Sequence, residues 1–253
     1  MRPEVVAEFR AATEYYHKER HLSRSFRAQS AKLLALLGQG SGVVLDIGAG
    51  PALLGPAIVS LGYDYIAMDM VLEMLRGASG ILLEHRAAMV VADAEALPFA
   101  DRSFAAVTAM GVLEYMSNLS QALVEINRVL APGGVAIVTV PHGSAPYRRS
   151  CYAWRRLKAA AKRLLLRREG EPSASVSGTM KYVPTPRRWR EEAAKAGFDV
   201  AADGFCNCQV LPEPLASLSP GFAQRLGAVM EPACLVRPMR ALGTQYVMKL
   251  VRA

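Results

Sequence analysis

At 253 residues, with 52% hydrophobic residues and a formal net charge of +8, the chain is long enough to bury a substantial core without disulfides or metal. No run approaches the roughly 18 apolar residues that a membrane-spanning helix requires, and the opening MRPEVVAEFRAATEYYHKER has no signal-peptide core, so a cytoplasmic protein is expected. The four cysteines, Cys151, Cys206, Cys208 and Cys234, follow neither the paired spacing of a zinc site nor the density of a disulfide framework, which implies free, mostly buried thiols and no metal site.

The charge is local. Residues 148–169, RRSCYAWRRLKAAAKRLLLRRE, hold nine Lys or Arg against one Glu, and the rest of the chain carries 21 of each sign. A neutral body bearing one basic element is unlike a general nucleic-acid binder, whose basic residues spread over a face, so no nucleic acid is expected as partner.

In chain order, residues 1–38 read as a helical cover. Val5, Val6, Phe9 and Ala12 recur at helical spacing, and a second helix from about Ser25 carries Phe26, Leu33, Leu34 and Leu37 before Gly38 stops it. Five short apolar runs follow, GVVLDIG, DYIAMD, AAMVVAD, FAAVTAM and GVAIVTVP, each bounded by Gly, Pro or Asp and each read as a buried parallel strand. The stretches between them, PALLGPAIVSLG, VLEMLRGASGILLEHR and LSQALVEINRVLAPGG, have helical patterns, so βαβ units and a parallel sheet covered on both faces are expected. Residues 143–183 break this rhythm with the basic segment and a loop-like EGEPSASVSGTM. A helix then starts at Thr185, a good N-cap followed by Pro186 at the first helical position, and Gly197 ends it. FDVAADGFCNCQVL and TQYVMKLVRA read as two further strands. One domain over 1–253, with a basic cap inserted after the fifth strand, accounts for the pattern.

The turn VLDIGAGPALLG, residues 44–55, brings a ligand close to backbone at the end of a parallel strand, or is a tight strand-to-helix turn with no ligand. A P-loop needs a Gly-Lys-Ser/Thr ending, and no lysine is present. The dinucleotide fingerprint needs a third glycine where Leu53 stands. Asp46, two residues before Gly48, favours a cation over a phosphate at this place. S-adenosylmethionine carries an ammonium, a sulfonium, a ribose and an adenine, and each has a candidate partner. Asp69 ends the second strand, 23 residues after Asp46, where a carboxylate accepts from ribose hydroxyls. Asp93 ends the third, followed by Ala94, where a carboxylate and an amide read an adenine edge. Three acids at successive strand ends converge on one crevice; taken singly, each is also explained as a solvated strand-end or capping carboxylate.

VLDIGAGPALLG, IAMDMVLEMLRGA, VADAEALPFADRSFAAVTAMGVLEYM and INRVLAPGGVAIVTVP together resemble the successive motifs of class I S-adenosylmethionine-dependent methyltransferases, in particular the ubiquinone/menaquinone-type small-molecule branch. The resemblance covers roughly residues 40–142. It implies an α/β, Rossmann-like seven-stranded sheet, mostly parallel with the last strand antiparallel, with helices on both faces and a helical cap insertion. It also implies Asp46, Gly48, Ala49 and Gly50 near the methionine part of the cofactor, Asp69 and Met70 at the ribose, Asp93 and Ala94 at the adenine, and Met110 beside them. Two positions depart from the family pattern: Ala52 stands where a third glycine is frequent, and Tyr115 where His is. A methyl group at Ala52 is tolerable if its backbone keeps negative φ.

Methyl transfer is a direct displacement on a carbon activated by the sulfonium, so the protein mainly aligns and desolvates the reactants. A general base is optional; His142, directly after the fifth strand in TVPHG, is the best placed of the four histidines, with a plain turn residue as the alternative. Glu114 follows strand four in a capping or lining role. Tyr15, Tyr16, His17 and His21 are placed to cover the pocket or to pack on the sheet as an aromatic face. In the basic insertion, a helix over residues 152–168 would gather Trp154, Leu157, Ala161, Leu164 and Leu165 on one arc and Arg155, Arg156, Lys158, Lys162, Arg163 and Arg167 on the other. Such a helix lies on an anionic membrane, binds an anionic acceptor, or packs as a lid with its charges in water. The expected function is methyl transfer to a small, lipophilic or natural-product-like acceptor. A cofactor-binding sensor without turnover, and an enzyme acting on a membrane lipid or macromolecule through the basic helix, are the alternatives.

Overall fold

The computed structural model describes residues 3–78, 87–166, 183–236 and 238–253. The N-terminal cover is three helices, α1 (Pro3–Ala11), α2 (Thr13–Lys18) and α3 (Arg24–Leu37). Ser23 caps α3 by accepting from the Phe26 amide, and Gly38, at φ 71°, ends it. The apolar runs become β1 (Val43–Ile47), β2 (Asp64–Asp69), β3 (Ala87–Val91), β4 (Phe104–Met110) and β5 (Leu130–Pro141). Between them lie α4 (Gly55–Ser60), α5 (Leu72–Arg76) and α6 (Leu119–Val129). The long helix α7 (Pro146–Leu166) follows, then α8 (Pro186–Lys195), β6 (Phe198–Cys208), the short α9 (Leu215–Leu218), α10 (Pro220–Val229) and β7 (Gly243–Arg252).

The seven strands form one sheet in the order β3-β2-β1-β4-β5-β7-β6, with β7 antiparallel to both of its neighbours and β1 to β5 parallel. The chain reverses direction across the sheet between β1 and β4, which opens a crevice at the carboxyl ends of those strands. Alternation along the central strands builds two cores. Leu45, Val107, Val138 and Met248 face α6 and α8, packing with Ile126 and Trp189. Their neighbours Val44, Ala106, Ile137 and Val247 face α3 and α4, packing with Leu33, Leu37 and Ile58. Truncating one of these fully buried side chains to Ala costs about 2–5 kcal/mol.

Several boundaries depart from the sequence expectation. The helix expected through RVLAPGG ends at Val129, because Leu130 already pairs with Phe104 and β5 enters the sheet through a register shift opposite Phe104 and Ala106. β3 is an edge strand instead of a strand buried on both faces, and Met89 and Val91 are 45% and 52% exposed. α5 covers only the start of the helical pattern; residues 79–86 lie outside the described residues. The basic helix starts at Pro146, earlier than expected, and residues 167–182 of the expected cap are outside the described residues. The Thr185 cap does form, accepting from the Arg188 amide, and Gly197 follows α8 at φ 80°. Among the described residues no helix is long and apolar enough to cross a membrane.

Candidate active site

The crevice holds a pocket of about 870 Å³, measured with its open mouth. Its floor is the β1 turn, where Gly48 and Gly50 adopt φ 69° and 56°. A Cβ on Gly48 would meet the Val112 side chain at 2.7 Å, so glycine is required there by contact as well as by conformation. A Cβ on Gly50 would meet nothing within 4 Å, so its backbone faces open space in the pocket.

Asp46 is the deepest charged group, 2% exposed. Its Oδ1 accepts from the Thr108 hydroxyl and its Oδ2 from the Tyr65 hydroxyl, both at 2.7 Å. Thr108 is its register partner on β4, and Tyr65 stands two residues from its partner Ala67 on β2, so the strand pairing delivers both hydroxyls. Burial pushes the Asp46 carboxyl up to about 6, against the pull of the two hydrogen bonds. Asp46 lines the pocket, but with each oxygen already engaged it acts on a ligand chiefly as a charge beneath the turn.

Asp69 is built differently. It receives the Gly50 amide on Oδ2 at 3.0 Å and the Val71 amide on Oδ1 at 2.9 Å, bracing the glycine turn against the end of β2. Burial raises its carboxyl, and the Val71, Gly50 and Met70 amides oppose that. Gly48, Ala49, Gly50, Met70, Ala94 and Met110 line the same pocket. The wall at the end of β3 is Ala92 and Ala94; the Asp93 carboxylate accepts from the Glu95 amide at 3.0 Å, and Asp93 is not among the lining residues.

The roof comes from the N-terminal cover. Tyr16, expected there, lines the pocket with Phe9 and Phe26, read from the sequence only as helix-face residues, and with Arg20, which the sequence did not single out. The Arg20 guanidinium lies 5.4 Å from the Tyr16 ring centre and 5.5 Å from that of Phe26. His17 instead pairs with the Met74 carbonyl at 3.0 Å, and Tyr15 is 43% exposed. Tyr115 packs edge-on against Phe9 at 5.0 Å, tying the segment after β4 to α1.

Ala52 corrects one expectation: its φ is 55°, not negative. Gly48, Gly50 and Ala52 take the left-handed region in alternation, and the alanine methyl is fully buried in the α3–α4 core. Its packing offsets a backbone cost of roughly 1–2 kcal/mol.

His142 is 5% exposed and is absent from the lining of this pocket. Its Nδ1 donates to the Gly243 carbonyl at 2.7 Å, its Nε2 meets the Ser144 hydroxyl at 2.9 Å, and its ring lies 4.8 Å from that of Phe205. Burial lowers its pKa, which keeps the ring neutral. Glu114 sits in the 3-10 turn Leu113–Tyr115 after β4 and is 3% exposed, with Oε2 lacking any hydrogen-bond partner. Burial pushes its carboxyl up to about 7, while Arg148 and Arg20 pull it down.

The start of α7 packs on the body, and residues 155–161 do not. Tyr147, Arg148, Cys151, Tyr152 and Arg155 border a second cavity of about 690 Å³ with Asn207, Gln209, Thr244 and Gln245. From Arg155 to Ala161 every residue is exposed, Leu157 at 58%, so this stretch does not pack its apolar arc over the sheet. Lys158 lies over the Trp154 ring at 5.2 Å. Among the described residues no three His, Cys, Asp or Glu side chains cluster to hold a metal ion.

Known proteins place this architecture. A family model described as a methyltransferase domain matches residues 45–138. A demethylmenaquinone methyltransferase from a Parafrankia species is 31% identical over 198 residues, covering 69% of this chain and 74% of that protein. A malonyl-[acyl-carrier protein] O-methyltransferase from Pseudescherichia vulneris is 38% identical over 146 residues, covering 56% of this chain; the chain spans only 55% of that relative's length. Among solved structures, Burkholderia thailandensis 1,6-didemethyltoxoflavin-N1-methyltransferase, with its substrate and S-adenosylhomocysteine bound, shares the fold at a TM-score of 0.62 and 16% identity, over 98% of this chain and 87% of that one. The matched motifs, the strand order and the glycine turn between Asp46 and Asp69 agree: the chain belongs to the class I S-adenosylmethionine-dependent methyltransferases.

Proposed function

We propose that this chain transfers a methyl group from S-adenosylmethionine to a small acceptor held under the N-terminal cover. The observation that carries the reading is the pocket floor, where a left-handed glycine turn lies between a buried carboxylate, Asp46, and a half-buried one, Asp69. That floor suits a ligand that is cationic at one end and carries hydroxyls further along. In this reading Asp46, Gly48, Ala49 and Gly50 hold the amino-acid end, Asp69 and Met70 the ribose, and Ala94 with the Asp93 turn the adenine, with Met110 beside them. When bound, the cofactor supplies a methyl carbon made electrophilic by a cationic sulfur. The protein's own part is to align and desolvate, and the apolar lining of Phe9, Phe26, Leu54, Met74, Val112 and Met116 supports a lipophilic acceptor. His142 is assigned no proton transfer, because one ring nitrogen is engaged with the Gly243 carbonyl at the start of β7 and the other with the Ser144 hydroxyl.

The test is calorimetric titration with S-adenosylhomocysteine. Binding in the wild-type protein that D69A weakens at least tenfold supports the assignment; no binding to the wild type removes it.

A second reading is favoured by one observation, the exposed Arg156 and Lys158 on α7 beyond the cavity bordered by Arg148 and Tyr152. It has the acceptor presented on an anionic partner, either a carrier protein or a membrane surface. Co-sedimentation with anionic but not neutral vesicles supports the membrane form; salt-sensitive binding to an acidic carrier protein, without vesicle binding, supports the other.

A further inference from the structure

Helices of a globular protein turn their larger apolar side chains inward. α10 does the reverse. Its buried residues are Ala223 and Gly227, while Phe222 is 58% and Val229 76% exposed, with the half-buried Leu226 between them at helical spacing. Gly227 sets this orientation: a Cβ there would come 2.5 Å from the Cys208 carbonyl oxygen and 2.8 Å from the Arg24 guanidinium, so only a face without a side chain fits against β6 at that point. On the preceding α9, Leu215 and Leu218 are 51% and 76% exposed around the buried Ala216. Leu215, Leu218, Phe222 and Val229 thus stand out from one connection between β6 and β7, and none of them lines the pocket under the N-terminal cover or the cavity beside α7.

This face is continuous with the basic helix. The Tyr147 hydroxyl of α7 donates to Glu213 Oε1 at 3.4 Å and the Glu213 amide donates to Ser150 Oγ at 2.9 Å, so α9 starts against the beginning of α7. The other Glu213 oxygen accepts from the Ser217 hydroxyl at 2.6 Å. Residues 146–166 hold seven Lys or Arg and residues 214–229 hold one, with no Asp or Glu in either segment. Projecting apolar side chains among charges of one sign call for an anionic surface with an apolar interior. A second copy of the chain is a poor occupant, because a two-fold contact repeats the same face and would bring two basic helices together. A folded acidic protein would have to offer a matching recess to each projecting side chain, whereas lipid conforms to all of them.

We propose that α9 and α10 insert Leu215, Leu218, Phe222 and Val229 into the surface of an anionic bilayer, lying in its plane without crossing it. The exposed Arg156 and Lys158 of α7 and Arg225 of α10 then meet the lipid phosphates. The inference rests on the second reading above, takes its membrane form and names the element that enters the lipid. It places the protein where a lipophilic acceptor is concentrated.

The experiment is co-sedimentation of the full chain with phosphatidylcholine vesicles, either alone or containing about 30% phosphatidylglycerol. Binding to the anionic vesicles only, weakened by salt, is expected. L218S/F222S should lower the partition coefficient by about tenfold or more while melting with the wild type, since both side chains are exposed. R156Q/K158Q should weaken binding to the anionic vesicles by about tenfold or more. F222W should be quenched by lipids brominated in their acyl chains beyond any quenching of the wild type, which reads insertion directly. If R156Q/K158Q loses vesicle binding while L218S/F222S stays within about twofold of the wild type, α7 binds the membrane without α9 and α10, and the proposal is overturned with the second reading intact. A dimer that L218S/F222S dissociates, or binding to an acidic carrier protein without vesicle binding, also overturns it. No binding of the wild type to either vesicle removes the membrane form of the second reading as well.

Discussion

The backbone amide of Gly50 donates to Oδ2 of Asp69 at 3.0 Å, so one carboxylate shapes the turn from the strand beside it and also borders the space above that turn. Removing the side chain therefore has two consequences. D69A is expected to weaken S-adenosylhomocysteine binding at least tenfold and to lower Tm, since a buried amide loses a charged partner worth about 1.5–3 kcal/mol. D69N, which keeps one acceptor oxygen for Gly50 but turns an NH2 toward the Val71 amide, should recover part of the Tm but not the affinity. Calorimetry and thermal melts on the two variants separate the roles.

Cofactor affinity should depend on pH through Asp46. Its folded-state pKa is raised to about 6 by burial, so the empty protein holds this proton more tightly than the unfolded chain does and loses stability as pH rises from about 4 to about 6. A ligand ammonium placed beside Asp46 favours the ionised form and reverses that preference. S-adenosylhomocysteine affinity is thus expected to rise with pH through the same window, by up to about tenfold per unit, and to flatten above it. D46N should bind more weakly and with no slope there, as calorimetry between pH 5 and 7.5 will show.

At Ala52 the backbone pulls one way and the side chain the other. A52G relieves the left-handed strain of roughly 1–2 kcal/mol but empties a buried methyl site worth about 0.8 kcal/mol and adds unfolded-state freedom worth about 0.4–1 kcal/mol, so a stability change near zero is expected. A52V adds branching at φ 55° and bulk to a filled core, and should destabilise by about 2 kcal/mol or more. Denaturant melts on the two variants check both signs.

Glu114 makes stability depend on pH. Its folded-state pKa of about 7 lies above the ordinary 4.5, so the folded state loses stability as pH rises through that interval. E114Q should therefore be more stable than wild type at pH 8.5, by up to about 3 kcal/mol, and close to it at pH 4.5. Equal melts at both values would show that Glu114 titrates normally.

For His142 the sign is opposite. Burial depresses its pKa below 6.5, so its contribution is complete above that value and is lost as pH falls through and below it. H142Q should lower Tm at pH 8 while leaving the acid limb of any rate profile where it is in the wild type.

The side of the site next to β1 was legible because its parts are close in sequence or in strand register. The Gly48-x-Gly50 spacing and the acids at the ends of β1 and β2 could be read directly, and Asp46, Gly48, Ala49, Gly50, Asp69, Met70, Ala94 and Met110 line one pocket. What those acids do was harder to read. Asp46 looks like an open carboxylate at the mouth of a turn until the register brings Thr108 alongside it. The opposite wall was not legible. His142 stands after a strand as a base might, but its partner carbonyl on Gly243 is 101 residues away. Glu114 is made unusual by burial, with arginines from the cover and from α7 acting against it, and a reading of GVLEYM contains neither. The amphipathic pattern of α7 was read as a helix, yet periodicity cannot say that residues 155–161 are exposed on both arcs.

β7 lies between β5 and β6, pairing with Pro141 at its Gln245 end and with Phe198 at its Arg252 end. During synthesis, then, β6 is made before it has a neighbour in the sheet. The wall that holds Thr244, Asn207 and the carbonyl partner of His142 cannot assemble until the final strand threads into the gap. The β1–β4 half contains its own strand pairs and can form earlier. A nascent chain can thus pair β1 to β5 before β7 joins β6 to the sheet.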